Sequence, residues 1–343
     1  MVKKFKRWLL HQQFACLRQC FDDFNVAGGA FINVNGSPVH FARATIIALY
    51  GDHPACVKST LTGSSCPTCY QNAGQFANVN SVAELRTEDS MRLKKQNILN
   101  RIRARATSGD IGLARKEARL HGLNLDCENG WISPAGVPSA MGPDPKKDNV
   151  WANSPSLVLH SWDEGAVEKV CAATVRHAVV DGHDRHNLAA TEVKRRIDQA
   201  FSRTYFAQPL NSNVEVNGRD AFQLFPNGVC GYLLDKRRLN GKWYGPLADQ
   251  LQFYLMNSNL LTDAHTQQMA DIIHMIRQIN FMIRQPIKKD GGIEEYQSYL
   301  DKFLRKLVAY TLPFSPSDCK SIKFHCMRHW GEHRRQFSCS ALE

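Results

Sequence analysis

A continuous apolar run, TIIALY at residues 45–50, constrains the fold of this chain more than any other feature. The run is partly β-branched and uncharged, which is typical of a strand buried on both faces of a sheet. It ends at the segment GDHP (residues 51–54), so Asp52 is predicted at the end of a central strand. Sheet proteins often present metal-binding acids from that position. The same segment is also typical of a simple turn, because Asp and Pro favour turns.

The residues before this run predict a helix followed by a β-hairpin. Residues 30–34 and 39–41 are strand-like, and Asn35-Gly36 between them readily supplies the positive φ angles of a tight hairpin turn. Residues 3–25 place large apolar side chains at helical spacing, which predicts an amphipathic helix. These side chains are Phe5, Leu9, Phe14, Leu17, Phe21 and Phe24.

Downstream, the patterns are mainly helical. Residues 86–121 form a basic helical stretch that Gly109 and Gly112 are expected to divide. Residues 129–148 are rich in Pro and Gly, which predicts a loop and an internal boundary. Beyond this loop, helices are predicted at residues 162–180, 188–206 and within a helical subdomain at 243–310.

The composition of the chain indicates which classes of partner and which cellular compartment to expect. The net charge of +11 and the pI of about 9.2 favour a polyanionic partner such as nucleic acid. No apolar run is long enough to span a bilayer, and the N-terminal residues do not resemble a signal peptide, so we expect no membrane partner and an intracellular protein. Eleven cysteines, an odd number, favour reduced thiols and a metal site over a disulfide framework.

The clearest metal signal is the pair Cys66 and Cys69. A Cys-x-x-Cys spacing lets both thiolates bind one tetrahedral Zn²⁺ from a single turn, but it supplies only half of the ligands. The remaining ligands are left open, with His53, Cys56, His121 and Cys127 as candidates. A redox pair and two unrelated buried thiols are the alternatives.

Acidic residues gather at the start of the helix that follows the loop. His160, Asp163, Glu164 and Glu168 lie within about two helical turns, so two or more of them could face one cleft. The alternative is that the acids only complement the helix dipole.

Two histidine-rich segments complete the candidates. The His-x-x-His pair of His183 and His186 has metal-capable spacing but is also typical of a solvated turn. His325, His329 and His333 recur every four residues beside arginines, which predicts either a basic face that contacts phosphates or a packed helix with one wet side.

The order of these motifs resembles that of a known family. A hairpin and strand end at residues 51–55, and the Cys66/Cys69 pair follows. This arrangement resembles DDE-type DNA transposases of the Plavaka and Kyakuja-Dileera-Zisupton groups, and more distantly of the CACTA group. Further segments resemble these transposases at residues 149–165 (with LHSWDEG), 225–253 (with FPNG) and 323–335 (with His325 and His329).

The resemblance implies an α/β fold with a partial RNase H-like core, a zinc-knuckle and helical insertion, and a C-terminal all-helical subdomain. Residues 1–62 would form a first core segment, and residues 63–148 the insertion with the knuckle and basic helices. Residues 149–206 would return to the core with the acidic helix, and residues 207–343 would form the helical subdomain.

The resemblance also implies a chemistry. Transposases of this type, which drive DNA recombination in transposable elements, hold two Mg²⁺ or Mn²⁺ ions with three carboxylates and cleave and rejoin phosphodiesters. Asp52 would be the second acid, and Asp163 or Glu164, with Glu168 behind them, the third. Zn²⁺ would bind Cys66 and Cys69, and the protein would act in the nucleus. DNA would be contacted by the basic helices, through Lys94, Lys95, Arg101, Arg103 and Arg105.

Two departures from the family pattern argue against catalysis by this chain alone. Leu157 stands where the family has Asp, and no acid is found on an opening strand upstream of the hairpin. We therefore expect an inactive, N-terminally truncated fragment or decayed relative.

The alternatives are a non-enzymatic zinc-containing DNA-binding or protein-interaction module, and a reduced-thiol scaffold. Homo-oligomer formation is left open.

Overall fold

The structure is a computed structural model of the 343-residue chain. It describes residues 2–26, 30–34, 37–41, 56–57, 60, 62, 65–81, 83–104, 108–123, 125, 150–151, 159–202, 205–206, 219–220, 225, 227–235, 239–284, 292–315 and 322–337. These residues belong to two compact units, mainly Met1–Leu157 and mainly Val158–Arg334.

The first unit begins as the sequence predicts. Helix α1 spans Val2–Val26, and strands β1 (Ala30–Val34) and β2 (Ser37–Phe41) form an antiparallel hairpin. Ile32 pairs with Val39, which is the register expected around an Asn-Gly turn. The helix and the hairpin strands are thus confirmed, whereas the turn itself lies outside the described residues.

Two helices contribute to the core of this unit. Helices α2 (Glu88–Ala104) and α3 (Ser108–Leu120) pack against each other. The predicted division into two helices is confirmed, but Gly109 and Gly112, which were expected to divide the stretch, both lie within α3. Ala114 and Ala118 of α3 are 2% exposed and lie one turn apart, so the helices can approach closely. Around them the core contains Met91, Ile98, Leu123, Val150 and Trp151.

The second unit is built of helices and one short strand pair. A π-helical segment (Leu159–Val167) leads into α4 (Glu168–His186), which is followed by α5 (Ala190–Phe201). Strands β3 (Tyr205–Phe206) and β4 (Arg219–Asp220) pair antiparallel. The remaining helices are α6 (Val229–Leu234), α7 (Tyr244–Ser258), α8 (Asp263–Arg284), α9 (Gly292–Thr311), α10 (Ile322–Met327) and α11 (Trp330–Phe337).

Helix α4 is the centre of the second unit. It packs against α5, α7 and α9, and ten of its residues, including Val170 and Val175, are buried. Next to it, the ring of Trp162 lies 5.1 Å from that of Phe303, and its Nε1 donates to Asn280 Oδ1 at 2.6 Å. A helix that is apolar around most of its circumference belongs in the interior of a bundle.

The predicted α/β, RNase H-like fold class is wrong. In the part of the chain that the structure describes, each strand pairs only with its neighbour in sequence, in two separate two-stranded hairpins. The segment predicted to return to the core, 149–206, contains α4 and α5. Periodicity alone cannot distinguish a short apolar run such as residues 45–50 from a buried helix segment. Those residues lie outside the described ranges.

None of the helices in the described ranges is long and apolar enough to cross a membrane. Many apolar positions at helical spacing pack into the cores of the two units, whereas Phe5, Leu9 and Leu17 of α1 are exposed.

Candidate metal centre

The turn that carries Cys66 and Cys69 is shaped to present two thiolates. Both residues are buried, with exposed fractions of 0% and 1%. The main-chain N–H of Thr68 donates to Cys66 Sγ at 3.3 Å, and that of Gln71 donates to Cys69 Sγ at 3.4 Å. Each sulfur thus receives a hydrogen bond from the second residue after it. Such bonds favour the charged thiolate, which is the form that binds metal.

The side chain of Arg86 stabilises the cysteine turn by hydrogen bonds to its carbonyl groups. Its side chain is fully buried, and its Nε–H is shared between the carbonyl oxygens of Cys66 and Cys69, each at 2.9 Å. Its Nη1 donates to the carbonyl of His121 at 2.8 Å. The main-chain N–H of Arg86 also donates to Thr68, so the segment is tied to the turn by backbone as well as side chain.

The charge of Arg86 matters as much as its hydrogen bonds. Burial lowers the pKa of Arg86, while the neighbouring groups of Cys66, Tyr70 and Cys69 raise it. The guanidinium also lies 4.3 Å from the centre of the Tyr70 ring. A buried cation close to both sulfurs stabilises negative charge on them, which prepares the pair for a metal ion.

Gly122 makes room for this arrangement. Its φ is +64°, and a Cβ there would lie 2.5 Å from the carbonyl oxygen of Thr62 and 2.9 Å from Nη2 of Arg86. Both the backbone conformation and the space therefore require glycine.

Two histidines form a second ligand pair. His325 lies on α10 and His329 follows it one turn later, just before α11 begins. Their Nε2 atoms are 3.3 Å apart, and their rings meet nearly edge to face at 76°. His325 is 2% exposed and His329 is partly buried. The two imidazoles, four residues apart, therefore direct their Nε2 atoms to one point.

The two pairs together form a four-residue cluster. The ligand atoms of Cys66, Cys69, His325 and His329 all lie within 4.8 Å of one another. In a tetrahedral zinc site, Zn–S bonds of about 2.3 Å and Zn–N bonds of about 2.0–2.1 Å place the ligand atoms about 3.3–3.8 Å apart. The cluster is therefore compatible with zinc after a small contraction.

Comparison with known protein families, curated proteins and solved structures yields no match. The interpretation of this centre therefore rests on its own geometry and chemistry.

The sequence had identified only half of this cluster. The Cys66/Cys69 pair is part of it, whereas Cys56 and His121, which were candidates for the missing ligands, are not. His53 and Cys127 lie outside the described residues. The signal that could have completed the site was the His-x-x-x-His spacing of His325 and His329, which is a zinc-ligand spacing when combined with Cys-x-x-Cys.

Of the two alternatives for this histidine segment, the described residues fit the packed helix and not the basic, phosphate-contacting face. His325 and His333 are each 2% exposed, Arg334 is 3% exposed and Trp330 is fully buried. Arg334 Nη1 donates to the carbonyl of Met282 at 2.7 Å. These side chains therefore belong to the interior rather than to a surface that could meet a polyanion.

The predicted catalytic acids do not form a visible metal site. Asp52 lies outside the described residues. Asp163 and Glu164 are partly buried on the π-helical segment, and among the described residues they join no cluster of three or more metal-binding side chains. Glu168 lies 3.7 Å from Lys169 in an ion pair. The expectation of Mg²⁺ or Mn²⁺ is therefore unsupported.

Some of the predicted DNA-binding side chains are engaged within the protein. Lys94 forms an ion pair with Glu84 at 2.8 Å, and Arg101 forms one with Glu117 at 2.6 Å. Lys95 is partly buried and Arg103 is exposed. Arg105 lies outside the described residues.

The His183/His186 segment has a structural explanation. It lies at the C-terminal end of α4, where His186 Nε2 contacts the carbonyl oxygen of Asn259 at 2.8 Å. Arg185 donates to the carbonyl of Leu261 and to Asn259 Oδ1. These contacts fasten the end of α4 to the turn between α7 and α8.

Proposed function

We propose that this chain binds one Zn²⁺ through Cys66, Cys69, His325 and His329, and that the ion has a structural role. The observation that carries the proposal is the convergence of two buried thiols and two imidazoles within 4.8 Å. Mixed thiolate and imidazole ligands in a tetrahedral arrangement favour zinc over Mg²⁺ or Ca²⁺, which prefer oxygen ligands.

The number of ligands supports a structural rather than a catalytic role. Catalytic zinc sites have three protein ligands and keep a fourth position open for water or substrate, whereas structural sites are closed by four protein side chains. Cys66, Cys69 and His325 are almost fully buried, which keeps bulk water from the ion.

The position of the ligands along the chain supports a role in folding. The cysteine pair lies in the first quarter of the 343-residue sequence, and the histidine pair lies in its last quarter. An ion that joins such distant segments restricts the unfolded chain strongly, because closing a longer loop costs more conformational entropy. Its binding free energy therefore becomes folding free energy.

Metal analysis of the full-length protein tests the proposal. We expect one zinc per chain, which the Cys66→Ser and His329→Ala variants each lose. The matched control is the double variant Cys16→Ser/Cys20→Ser, which removes two exposed thiols and should retain zinc. With Co²⁺ in place of zinc, the visible spectrum should show tetrahedral d–d bands and a thiolate charge-transfer band. A zinc content that the His329→Ala variant keeps would refute the four-ligand assignment.

We also propose that the zinc-stabilised fold is a non-enzymatic DNA-binding module related to transposases. Two observations favour this function, namely the net charge of +11 and the order of the transposase-like motifs. We assign no two-metal catalysis to the chain. That chemistry depends on an RNase H-like core, which the described residues do not form. A role in the nucleus belongs to the same proposal. Binding of a labelled DNA duplex by the full-length protein in the absence of Mg²⁺ tests it.

A further inference from the structure

Helix α3 (Ser108–Leu120) has two faces of opposite character. Ala114 and Ala118 are buried in the core of the first unit. At 100° per residue, Gly109, Gly112 and Lys116 lie on the opposite side of the helix. The outer face of α3 therefore carries two glycines in its first half and positive charge in its second half, with the exposed side chains of Leu113 and Leu120 along one edge.

Three exposed cations belong to this outer face and its border. Arg115, Lys116 and Arg119 are all exposed. Within the described part of the chain, none of them forms an ion pair. Of the two acids of α3, Glu117 is already paired with Arg101 at 2.6 Å, and Asp110 lies in the first turn, more than one turn before the three cations. The positive charge of α3 is therefore uncompensated and open to an anionic partner.

Helix α5 shows what a compensated cationic helix looks like in the same protein. Arg195 and Arg196 are exposed, but both bind the carboxylate of Glu192, at 2.7 Å and 2.8 Å. These hydrogen bonds lower the pKa of Glu192 to about 2. The arginines of α5 thus have an internal partner, in contrast to those of α3.

The two glycines of α3 are not required by the fold. A Cβ added at Gly109 or Gly112 would meet nothing within 4 Å, and neither residue has a positive φ. Glycine weakens a helix relative to alanine, so its presence twice in an exposed helix has a cost without a packing benefit. Glycine at such positions permits the close approach of another molecule's backbone to the helix.

We infer that the outer face of α3 is a docking surface for the phosphate backbone of duplex DNA. The inference rests on the proposed DNA-binding function and names the surface that performs it. Gly109 and Gly112 let a phosphate reach the N-terminal half of the helix, where the helix dipole is positive. Arg115, Lys116 and Arg119 bind the following phosphates, so the contacts position the duplex and do not read its sequence.

A matched pair of double variants of the full-length protein tests the surface. Arg115→Ala/Arg119→Ala and Arg195→Ala/Arg196→Ala each remove two exposed arginines and change the net charge equally. Fluorescence anisotropy with a labelled mixed-sequence duplex is measured over a range of salt concentrations. We expect the α3 variant to bind about tenfold or more weakly, and its salt dependence to lose a slope of about 2. The α5 variant should bind like the wild type.

The outcomes separate the two proposals. If the wild type binds no duplex even at low salt, both the DNA-binding function and its surface are refuted. If the wild type binds and the α3 variant binds equally well, only the surface assignment is refuted. Equal losses in both double variants would also overturn it, because net charge alone would then explain binding.

Substitution of the two glycines gives a second test, because it should change duplex affinity without lowering the melting temperature. Gly109→Ala/Gly112→Ala should keep or raise the melting temperature, because alanine favours the helix. The added methyl groups should nevertheless weaken duplex binding by roughly threefold or more, because they keep phosphates away from the helix backbone. Unchanged affinity in this variant would overturn the close-approach role of the glycines.

Discussion

The Nε2 atoms of His325 and His329 lie 3.3 Å apart, a separation that two imidazole ligands of one tetrahedral zinc ion also adopt. Without metal, the same distance is a hydrogen bond in which one imidazole donates and the other accepts. Zinc would replace that shared proton, because both nitrogens must be unprotonated to bind it. The geometry of the pair thus connects metal binding to the stability of the chain.

Removal of zinc should therefore destabilise the protein. Free zinc at about 1,000 times the dissociation constant would stabilise the folded state by about 4 kcal/mol, because the unfolded chain does not preform the site. We expect the melting temperature to fall when a strong chelator is added and to recover with excess Zn²⁺. Differential scanning calorimetry measures both changes. The His329→Ala variant is the control and should show no zinc-dependent shift; a full shift in that variant would contradict the prediction.

Replacement of Arg86 by methionine should damage both stability and metal binding. Methionine fills similar space but leaves the carbonyls of Cys66, Cys69 and His121 without their donor, which we expect to cost about 3 kcal/mol or more. Zinc affinity should fall about 10- to 100-fold, because groups that orient the ligands are lost. Urea unfolding and chelator competition measure the two effects.

The control for Arg86 is Arg101 on α2. Its side chain is 41% exposed and pairs with Glu117, whose side chain is 36% exposed. Arg101→Met should cost less than about 1 kcal/mol, since exposed ion pairs contribute little. Similar losses in the two variants would show that the buried hydrogen bonds of Arg86 do not support the cysteine turn.

Alanine at Gly122 should be strongly destabilising. The residue has a φ of +64°, and the new Cβ would collide with the carbonyl of Thr62. We expect a loss of about 2 kcal/mol or more in the free energy of unfolding. Gly245, on α7, has no heavy atom within 4 Å of an added Cβ, so Gly245→Ala should be neutral or stabilising by about 0.5–1 kcal/mol. Equal melting temperatures for the two variants would disprove the steric argument.

Buried His333 should make stability depend on pH. Burial lowers its pKa to about 4, so between about pH 6.5 and pH 4 the unfolded chain binds a proton that the folded chain does not. The contribution of His333 is therefore complete above the unfolded pKa and is lost as the pH falls. Integration over this difference predicts a loss of about 2 kcal/mol between pH 7 and pH 5.

The variant His333→Leu isolates this effect, because leucine cannot be protonated. Urea unfolding at saturating zinc should show that the variant loses about 2 kcal/mol less than the wild type over the same interval. Exposed His274 on α8 supplies the control, and His274→Leu should keep the wild-type pH dependence. A His333→Leu protein with an unaltered pH dependence would argue against burial as the cause.

The sequence by itself determined the local features of this protein. The apolar spacing of residues 3–25 predicted α1, and Asn35-Gly36 predicted the register in which Ile32 pairs with Val39. The spacing of Cys66 and Cys69 within four adjacent positions predicted half of a zinc site, with a redox pair and two unrelated thiols as alternatives. Each of these features depends on neighbours in sequence, whose spacing and backbone preferences can be taken from the sequence alone.

The tertiary structure alone decided the fold class and the other half of the metal site. An apolar run does not reveal whether it pairs in a sheet or packs in a helix. The predicted RNase H-like core was wrong, because the described strands form only two separate two-stranded hairpins. His325 and His329 showed zinc-ligand spacing, but nothing in the sequence joined them to cysteines far upstream. Metal ligands are selected by their distance in space, and that distance cannot be taken from the local spacing of either pair.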